Sequence, residues 1–110
     1  MKGDGGLTTK ALEYLATCPD IWAERRNSGK VPTRGGYVEL GESGTPDITG
    51  YLKRAGRFAL PFGIETKALK GKLRESQNEW RERAWAFGFP VFVCRTLREV
   101  IEAVRALREM

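Results

Sequence analysis

Three segments of the chain place apolar residues at helical spacing. The first lies before Pro19, with apolar residues recurring every three or four positions. The second covers about residues 74–87, and its apolar stripe contains one polar member, Gln77. The third begins at a capping-box pattern that starts at Thr96, and its stripe is the clearest of the three. These patterns predict three amphipathic helices.

Most of the remaining chain favours β-strands, with Trp22 as a core candidate in the first of them. The expected strands are residues 21–26, 37–40, 48–52, a run ending near Lys67, and the almost wholly apolar 90–94. Residues 30–36 are predicted to form a polar loop. The resulting order is α-β-β-β-(β)-α-β-α, an α/β fold with a mixed central β-sheet flanked by helices. We expect a single domain over residues 1–110, with 1–6 as a flexible lead-in.

Two neighbouring strands carry the candidate chemistry. Glu65 and Lys67 are two positions apart, so in a strand their side chains emerge on the same face. Asp47 follows Pro46 at the head of the preceding strand. If the two strands pair, two carboxylates and one ammonium converge, and oxygen ligands of this kind suit Mg²⁺. A lysine beside such a cation can orient or deprotonate a water, which is the equipment for hydrolysing a phosphodiester.

The length of the turn between these strands creates a conflict. A tight hairpin at residues 53–56 would pair Asp47 with Phe62 rather than with Glu65. Bringing the two carboxylates opposite one another then requires extra residues in the second strand. Because proline and glycine are typical of such irregularities, we expect a bulge or kink at residues 60–63.

The charge balance favours a polyanionic partner. The chain carries 19 Lys and Arg against 14 Asp and Glu, a formal net charge of +5. Such an excess suits nucleic acid, although a merely soluble basic protein is the alternative. Arg25 and Arg26 alternate in facing, so only one of them can face the site. Lys70 and Lys72 follow the candidate lysine in a basic segment. All four are candidates for phosphate contacts, and a solvated edge-strand charge is the alternative for Arg25 and for Arg26.

Composition excludes several other chemistries. The chain has no histidine, which removes the usual Ser-His and Cys-His nucleophile pairs, so hydrolysis is expected to be metal-assisted. Its two cysteines, Cys18 and Cys94, are expected to be buried free thiols in an intracellular protein, with a disulfide as the alternative. No signal-peptide pattern or long apolar run is visible, so we expect a cytoplasmic, intracellular location.

Several short motifs together resemble a known nuclease family. They are Arg-Arg-Asn-Ser-Gly at 25–29, Gly-Thr-Pro-Asp-Ile at 44–48, Glu-Thr-Lys at 65–67, Gly71, Gln77 near a helix start, and Gly-Phe-Pro-Val at 88–91. The Pro-Asp and Glu-x-Lys elements resemble the PD-(D/E)xK nuclease superfamily. The set as a whole resembles its virus-type replication–repair nuclease (VRR-NUC) domain, in small stand-alone phage-like form. The resemblance covers nearly the whole chain and implies a restriction-endonuclease-like core.

The resemblance implies a metal-dependent DNA endonuclease. Asp47, Glu65 and the backbone carbonyl of Thr66 are then the expected ligands of Mg²⁺ or Mn²⁺. Lys67 orients the attacking water or acts as its base, and Gln77 completes the catalytic set by supporting this arrangement. Small members of the family resemble Holliday-junction resolvases of DNA repair. A homodimer acting on branched or duplex DNA is therefore expected, and subunits that exchange strands or domains are one way to form it.

Two points stay open at this level. Related nucleases place a metal-binding glutamate on the first helix, and here the matching position falls near Leu7, Thr8 and Thr9. Glu13 substitutes for it, or the third acidic ligand is missing and Glu13 is an ordinary exposed carboxylate. The alternative function is a non-catalytic nucleic-acid-binding domain that retains the nuclease fold. A structural component of a larger replication or packaging complex is a third interpretation.

Overall fold

The structure, a computed structural model, describes residues 6–26, 30–39, 44–56 and 58–110. Its elements, in chain order, are α1 (Leu7–Ala16), β1 (Ile21–Arg25), β2 (Lys30–Thr33), β3 (Gly36–Glu39), β4 (Ile48–Leu52), β5 (Leu60–Thr66), α2 (Glu75–Ala86), β6 (Val91–Cys94) and α3 (Leu97–Arg108). The predicted α/β class is confirmed. One strand is added, because the residues of β2, predicted as loop, pair antiparallel with β3.

A four-stranded mixed sheet forms the centre of the molecule, in the order β1-β4-β5-β6. β1 pairs antiparallel with β4, and β4 pairs antiparallel with β5. β5 and β6 are parallel, which requires a crossover connection, and α2 supplies it. β2 and β3 form a separate two-stranded sheet. The mixed central sheet flanked by helices is therefore as predicted.

The register between β4 and β5 is regular, so the predicted bulge at residues 60–63 is wrong. Ile48 lies opposite Ile64, Leu52 lies opposite Leu60, and every position between them is paired in step. The additional residues lie in the connection between the two strands, which covers residues 53–59 rather than 53–56 alone. With this longer connection, the regular pairing of Ile48 with Ile64 also brings the residue before Ile48 opposite the residue after Ile64. Asp47 and Glu65 are those residues.

The hydrophobic core lies between one face of the sheet and the helices α1 and α3. Its buried members come from α1, from β4, β5 and β6, and from α3: Ala11, Leu15, Ile48, Leu52, Phe62, Ile64, Cys94, Val100, Ala103, Val104 and Leu107. Gly50 makes room for Phe62, because a Cβ there would lie 2.6 Å from the Phe62 ring. Both cysteines are buried free thiols, so the disulfide alternative is wrong.

Trp22, predicted to be in the core, is 68% exposed. Residues on the two sides of it, Ile21 and Ala23, are the ones that pack against the core. Because side chains alternate along a strand, the tryptophan points away from the core, where its ring lies 5.5 Å from that of Tyr51. None of the helices in the described ranges has the length and apolar character needed to cross a membrane.

Candidate active site

Asp47 lies at a corner that packs tightly against two other elements. Gly44 has a left-handed backbone (φ +92°), and a Cβ there would collide with the backbone carbonyl of Ser76 in the first turn of α2. Pro46 is packed on β5 so closely that a Cβ at Gly63 would lie 2.7 Å from its Cγ. Since proline also restricts its own φ, the residue that follows enters β4 in one orientation.

The Asp47 carboxylate is held from the neighbouring strand. Its Oδ2 accepts hydrogen bonds from the backbone N–H of Thr66 and from the Thr66 hydroxyl, each at 2.9 Å. The Thr66 hydroxyl is in turn 2.6 Å from the hydroxyl of Thr8 in α1, and both threonines are buried. On the main-chain side, the Asp47 carbonyl accepts from the N–H of Arg26 at 2.7 Å. The carboxylate thus lies where β1, β4, β5 and α1 meet.

Glu65 is a buried carboxylate, and among the described residues only one of its two oxygens has a hydrogen-bond partner. It is 5% exposed, and its Oε2 accepts a 2.6 Å hydrogen bond from Gln77 Nε2. Its Oε1 is buried with no hydrogen-bond partner in the described part of the chain. Burial, and then the negative charge of Asp47, raise the pKa of Glu65 to about 8, against smaller opposing contributions from Lys67 and Arg74. A buried carboxylate oxygen without a hydrogen-bond partner is energetically unfavourable, so the site favours binding of a cation or a proton.

Gln77 connects the start of α2 to this carboxylate. It is the third residue of the helix, and its Oε1 accepts from the backbone N–H of Arg74 at 2.9 Å. Its Nε2 donates to Glu65. Because the amide oxygen already accepts from the Arg74 N–H, the amide nitrogen is the end that faces Glu65. One side chain therefore both caps the helix and fixes the direction of the glutamate, which explains a polar residue on the buried side of α2.

The donor set fits a hard cation that keeps most of its waters. Asp47 and Glu65 are brought together, and within the ranges that the structure describes one oxygen of Glu65 has no hydrogen-bond partner. Mg²⁺ commonly uses one or two carboxylates and completes its shell with water and phosphate. Within the described residues, no cluster of three Asp, Glu, His or Cys side chains could hold a metal. Glu13 is exposed on α1 and does not join the two carboxylates, and α1 contributes Thr8 at that point instead.

The basic candidates surround the site at two places. Lys67 is half-buried directly after β5, and Lys70 and Lys72 are exposed in the segment that follows. Arg25 and Arg26 are exposed at the end of β1 nearest the site, because Arg25 lies opposite Ile48. The Arg25 guanidinium donates a long 3.4 Å hydrogen bond to Thr9.

Sequence reasoning missed Arg95, which organises the basic segment after β5. Its Nη1 donates to the carbonyls of Ala68 at 2.7 Å and Gly71 at 2.6 Å. Charge-assisted bonds to carbonyls are among the stronger ones in proteins, so this segment has a defined path. The partners are backbone atoms of residues far away in sequence, and no pattern of residue types could have indicated them.

Comparison with known proteins agrees with this geometry. The family model of the VRR-NUC domain matches residues 37–97, more than half of the chain and the part that contains both carboxylates. The chain therefore belongs to the VRR-NUC domain family, a family of nucleases. It is also similar to a solved structure described as a VRR_NUC domain, with a TM-score of 0.68 at 20% identity over 93% of this chain and 94% of that chain. That likeness shows a shared fold. No curated protein matches the sequence.

Proposed function

We propose that this nuclease-family chain is an endonuclease that hydrolyses DNA phosphodiester bonds with Mg²⁺ or Mn²⁺. The observation that carries the proposal is the buried Oε1 of Glu65, which has no hydrogen-bond partner among the described residues and lies beside the hydrogen-bonded carboxylate of Asp47. These two side chains, with the backbone carbonyl of Thr66, are the proposed ligands. When bound, such a cation lowers the pKa of a coordinated water and stabilises negative charge on the scissile phosphate.

The other catalytic residues prepare the site before DNA arrives. Gln77 occupies one oxygen of Glu65 and leaves the other available, so the glutamate does not have to reorient. Preset geometry of this kind lowers the reorganisation needed to reach the transition state. Lys67 directly follows β5, two residues after Glu65, and its charge acts to lower the pKa of that carboxyl. Its ammonium is proposed to orient the attacking water or to act as its base.

The exposed cations are proposed to bind the DNA backbone. Arg25 and Arg26 lie at the end of β1, which pairs with β4, whereas Lys70 and Lys72 lie after β5, in the segment whose carbonyls bond Arg95. Contacts of this type position a nucleic acid without reading its sequence. Selection among substrates would then depend on DNA shape.

We further propose that the working unit is a homodimer that acts on branched DNA such as a Holliday junction. Two paired cuts in a four-way junction need two equivalent sites, and a two-fold axis supplies them. Large apolar side chains are available for pairing, because Trp22 is 68% exposed and Phe87 is 84% exposed. Sedimentation at micromolar concentration tests this point, and a monomer that still makes paired cuts would contradict it.

A cleavage panel tests the proposed activity. End-labelled single-stranded, duplex, flap and four-way-junction DNAs are incubated with EDTA, Mg²⁺ or Mn²⁺. Wild type should cut at least one of them only when the cation is present. Glu65→Gln should bind DNA and not cut it, whereas Glu82→Gln removes an exposed α2 carboxylate and should behave as wild type. DNA binding without cleavage under every condition would favour the non-catalytic alternative.

A further inference from the structure

A row of hydroxyls leads from the first helix to the site. Thr8 lies in the first turn of α1, on the buried side that also contains Leu7 and Ala11. Its Oγ1 is 2.6 Å from the Oγ1 of Thr66, and that oxygen is 2.9 Å from Asp47 Oδ2. Thr8 and Thr66 are each 6% exposed. A helix and a carboxylate are thus connected through two buried side chains.

The donor and the acceptor in each of these hydrogen bonds follow from the carboxylate of Asp47, at which the row ends. The Asp47 carboxylate, when ionised, only accepts, so the Thr66 hydroxyl must give it its single proton. The same hydroxyl can then meet Thr8 only as an acceptor, which makes Thr8 the donor. A hydroxyl that accepts one bond is polarised and donates the next one more strongly. Thr8 therefore both orients the Thr66 hydroxyl and strengthens its bond to Asp47.

We propose that Thr8 is a positioning residue for the metal site, acting on Asp47 through Thr66. Helix α1 contributes the Thr8 hydroxyl, which is connected to the Asp47 carboxylate through two successive hydrogen bonds. An acidic side chain at this place would have contributed a metal ligand. The inference rests on the proposed function, because it assigns Asp47 to a cation. Groups that fix a metal ligand from behind typically change metal affinity by about 10- to 100-fold when they are lost.

The test measures Mn²⁺ binding itself, by titration calorimetry or by the spin-resonance signal of free Mn²⁺, without DNA. Thr8→Val removes the hydroxyl at nearly constant volume and should weaken Mn²⁺ binding by about 10-fold. Thr8→Ser keeps the donor and should bind as wild type. Thr17→Val makes the same change at the other end of α1, where the hydroxyl bonds the Tyr14 carbonyl, and should also bind as wild type. Thermal unfolding in EDTA establishes that each variant is folded.

A double-variant cycle shows whether Thr8 acts through Thr66. If it does, adding Thr8→Val to Thr66→Val should cause no further loss of Mn²⁺ affinity, because the intermediate hydroxyl is already gone. If the valine variant at position 8 does not fold, Thr8→Ala repeats the measurement with a smaller side chain.

The inference would be overturned if Thr8→Val left the Mn²⁺ affinity unchanged. It would also be overturned if Thr8→Val lowered the Mn²⁺ affinity equally in wild type and in Thr66→Val. Neither result would contradict the proposed function, as long as Asp47→Asn still abolishes binding. A wild type that binds no Mn²⁺, or binds it no better than Asp47→Asn, would overturn both.

Discussion

The buried Glu65 carboxylate should make the metal-free protein less stable as the pH rises. Its pKa is about 8 in the folded chain, against about 4.3 for an ordinary glutamate in the unfolded chain. Between these values the folded state holds a proton that the unfolded state has lost. Stability therefore falls with increasing pH in this window, is level below about pH 4 and becomes level again above about pH 8.

The expected size of this effect follows from one proton. The free energy of unfolding should fall by about 1.4 kcal/mol per pH unit inside the window, on the order of 4 kcal/mol from pH 5 to pH 8. This is a large share of the stability of a small domain. Other described groups with shifted pKa values titrate outside the window, Asp20 below it and Tyr14 and Cys94 above it.

The assay is urea unfolding in EDTA, from pH 5 to pH 8.5, of wild type, Glu65→Gln and the matched control Glu82→Gln. The glutamine at position 65 keeps the shape and can still accept from Gln77, but it does not titrate. Glu65→Gln should therefore lose the slope and become more stable than wild type at pH 8. The control should keep the slope. A wild type whose stability rises across this window, or a Glu65→Gln variant with the wild-type slope, would refute the reasoning.

Three further predictions concern the surroundings of the site. DNA affinity should fall steeply with salt, and the Lys70→Gln/Lys72→Gln variant should reduce the logarithmic salt slope by about 0.9 per lost contact on duplex DNA; an unchanged slope would remove these lysines from the interface. Arg95→Gln should weaken DNA binding and speed proteolysis in the segment that Arg95 holds, while Mn²⁺ binding stays unchanged; resistance equal to wild type would show that the two carbonyl bonds are dispensable. Gly63→Ala should lower the free energy of unfolding in urea by about 1–3 kcal/mol, because the new methyl overlaps Pro46 and the packed strand cannot easily move away. A variant as stable as wild type would show that Pro46 and β5 can shift to accommodate the methyl.

The sequence was informative about the site where the signal is local. The nearness of Lys67 to Glu65 was predicted from their spacing of two residues. In the structure β5 ends at Thr66 and Lys67 directly follows it, still close enough to influence the pKa of Glu65. Gln77 was noticeable as a polar residue on an apolar helical stripe, and the structure places it on the glutamate. The approach of Asp47 to Glu65 was also expected, but through a bulge that does not exist. The length of the connection between β4 and β5 could not be predicted, because the sequence of residues 53–59 does not distinguish a long connection from a short turn followed by a strand.

Other features could not be predicted because they depend on distant partners. Hydrophobicity alone placed Trp22 in the core, whereas its strand is at the edge of the sheet and packs the partly buried Ile21 and Ala23 against the core instead. The resemblance drew attention to the position of Thr8, but the role of its hydroxyl could not be predicted, since a threonine near a helix start is ordinary and its partner is 58 residues away. Arg95 is missed for a related reason, because it binds backbone carbonyls.

The first turn of α2 touches both segments that carry a carboxylate, and this has a consequence for the choice of cation. The carbonyl of Ser76 lies against Gly44 in the corner before Asp47, and the next residue, Gln77, holds Glu65. The spacing of the two carboxylates is therefore set by one helix end as well as by strand pairing. Mg²⁺ needs oxygens at about 2.0–2.1 Å, whereas Ca²⁺ takes them at about 2.3–2.6 Å in looser arrangements. If the proposed cation binds these two carboxylates, selection between ions of equal charge would depend on the packing of the first turn of α2.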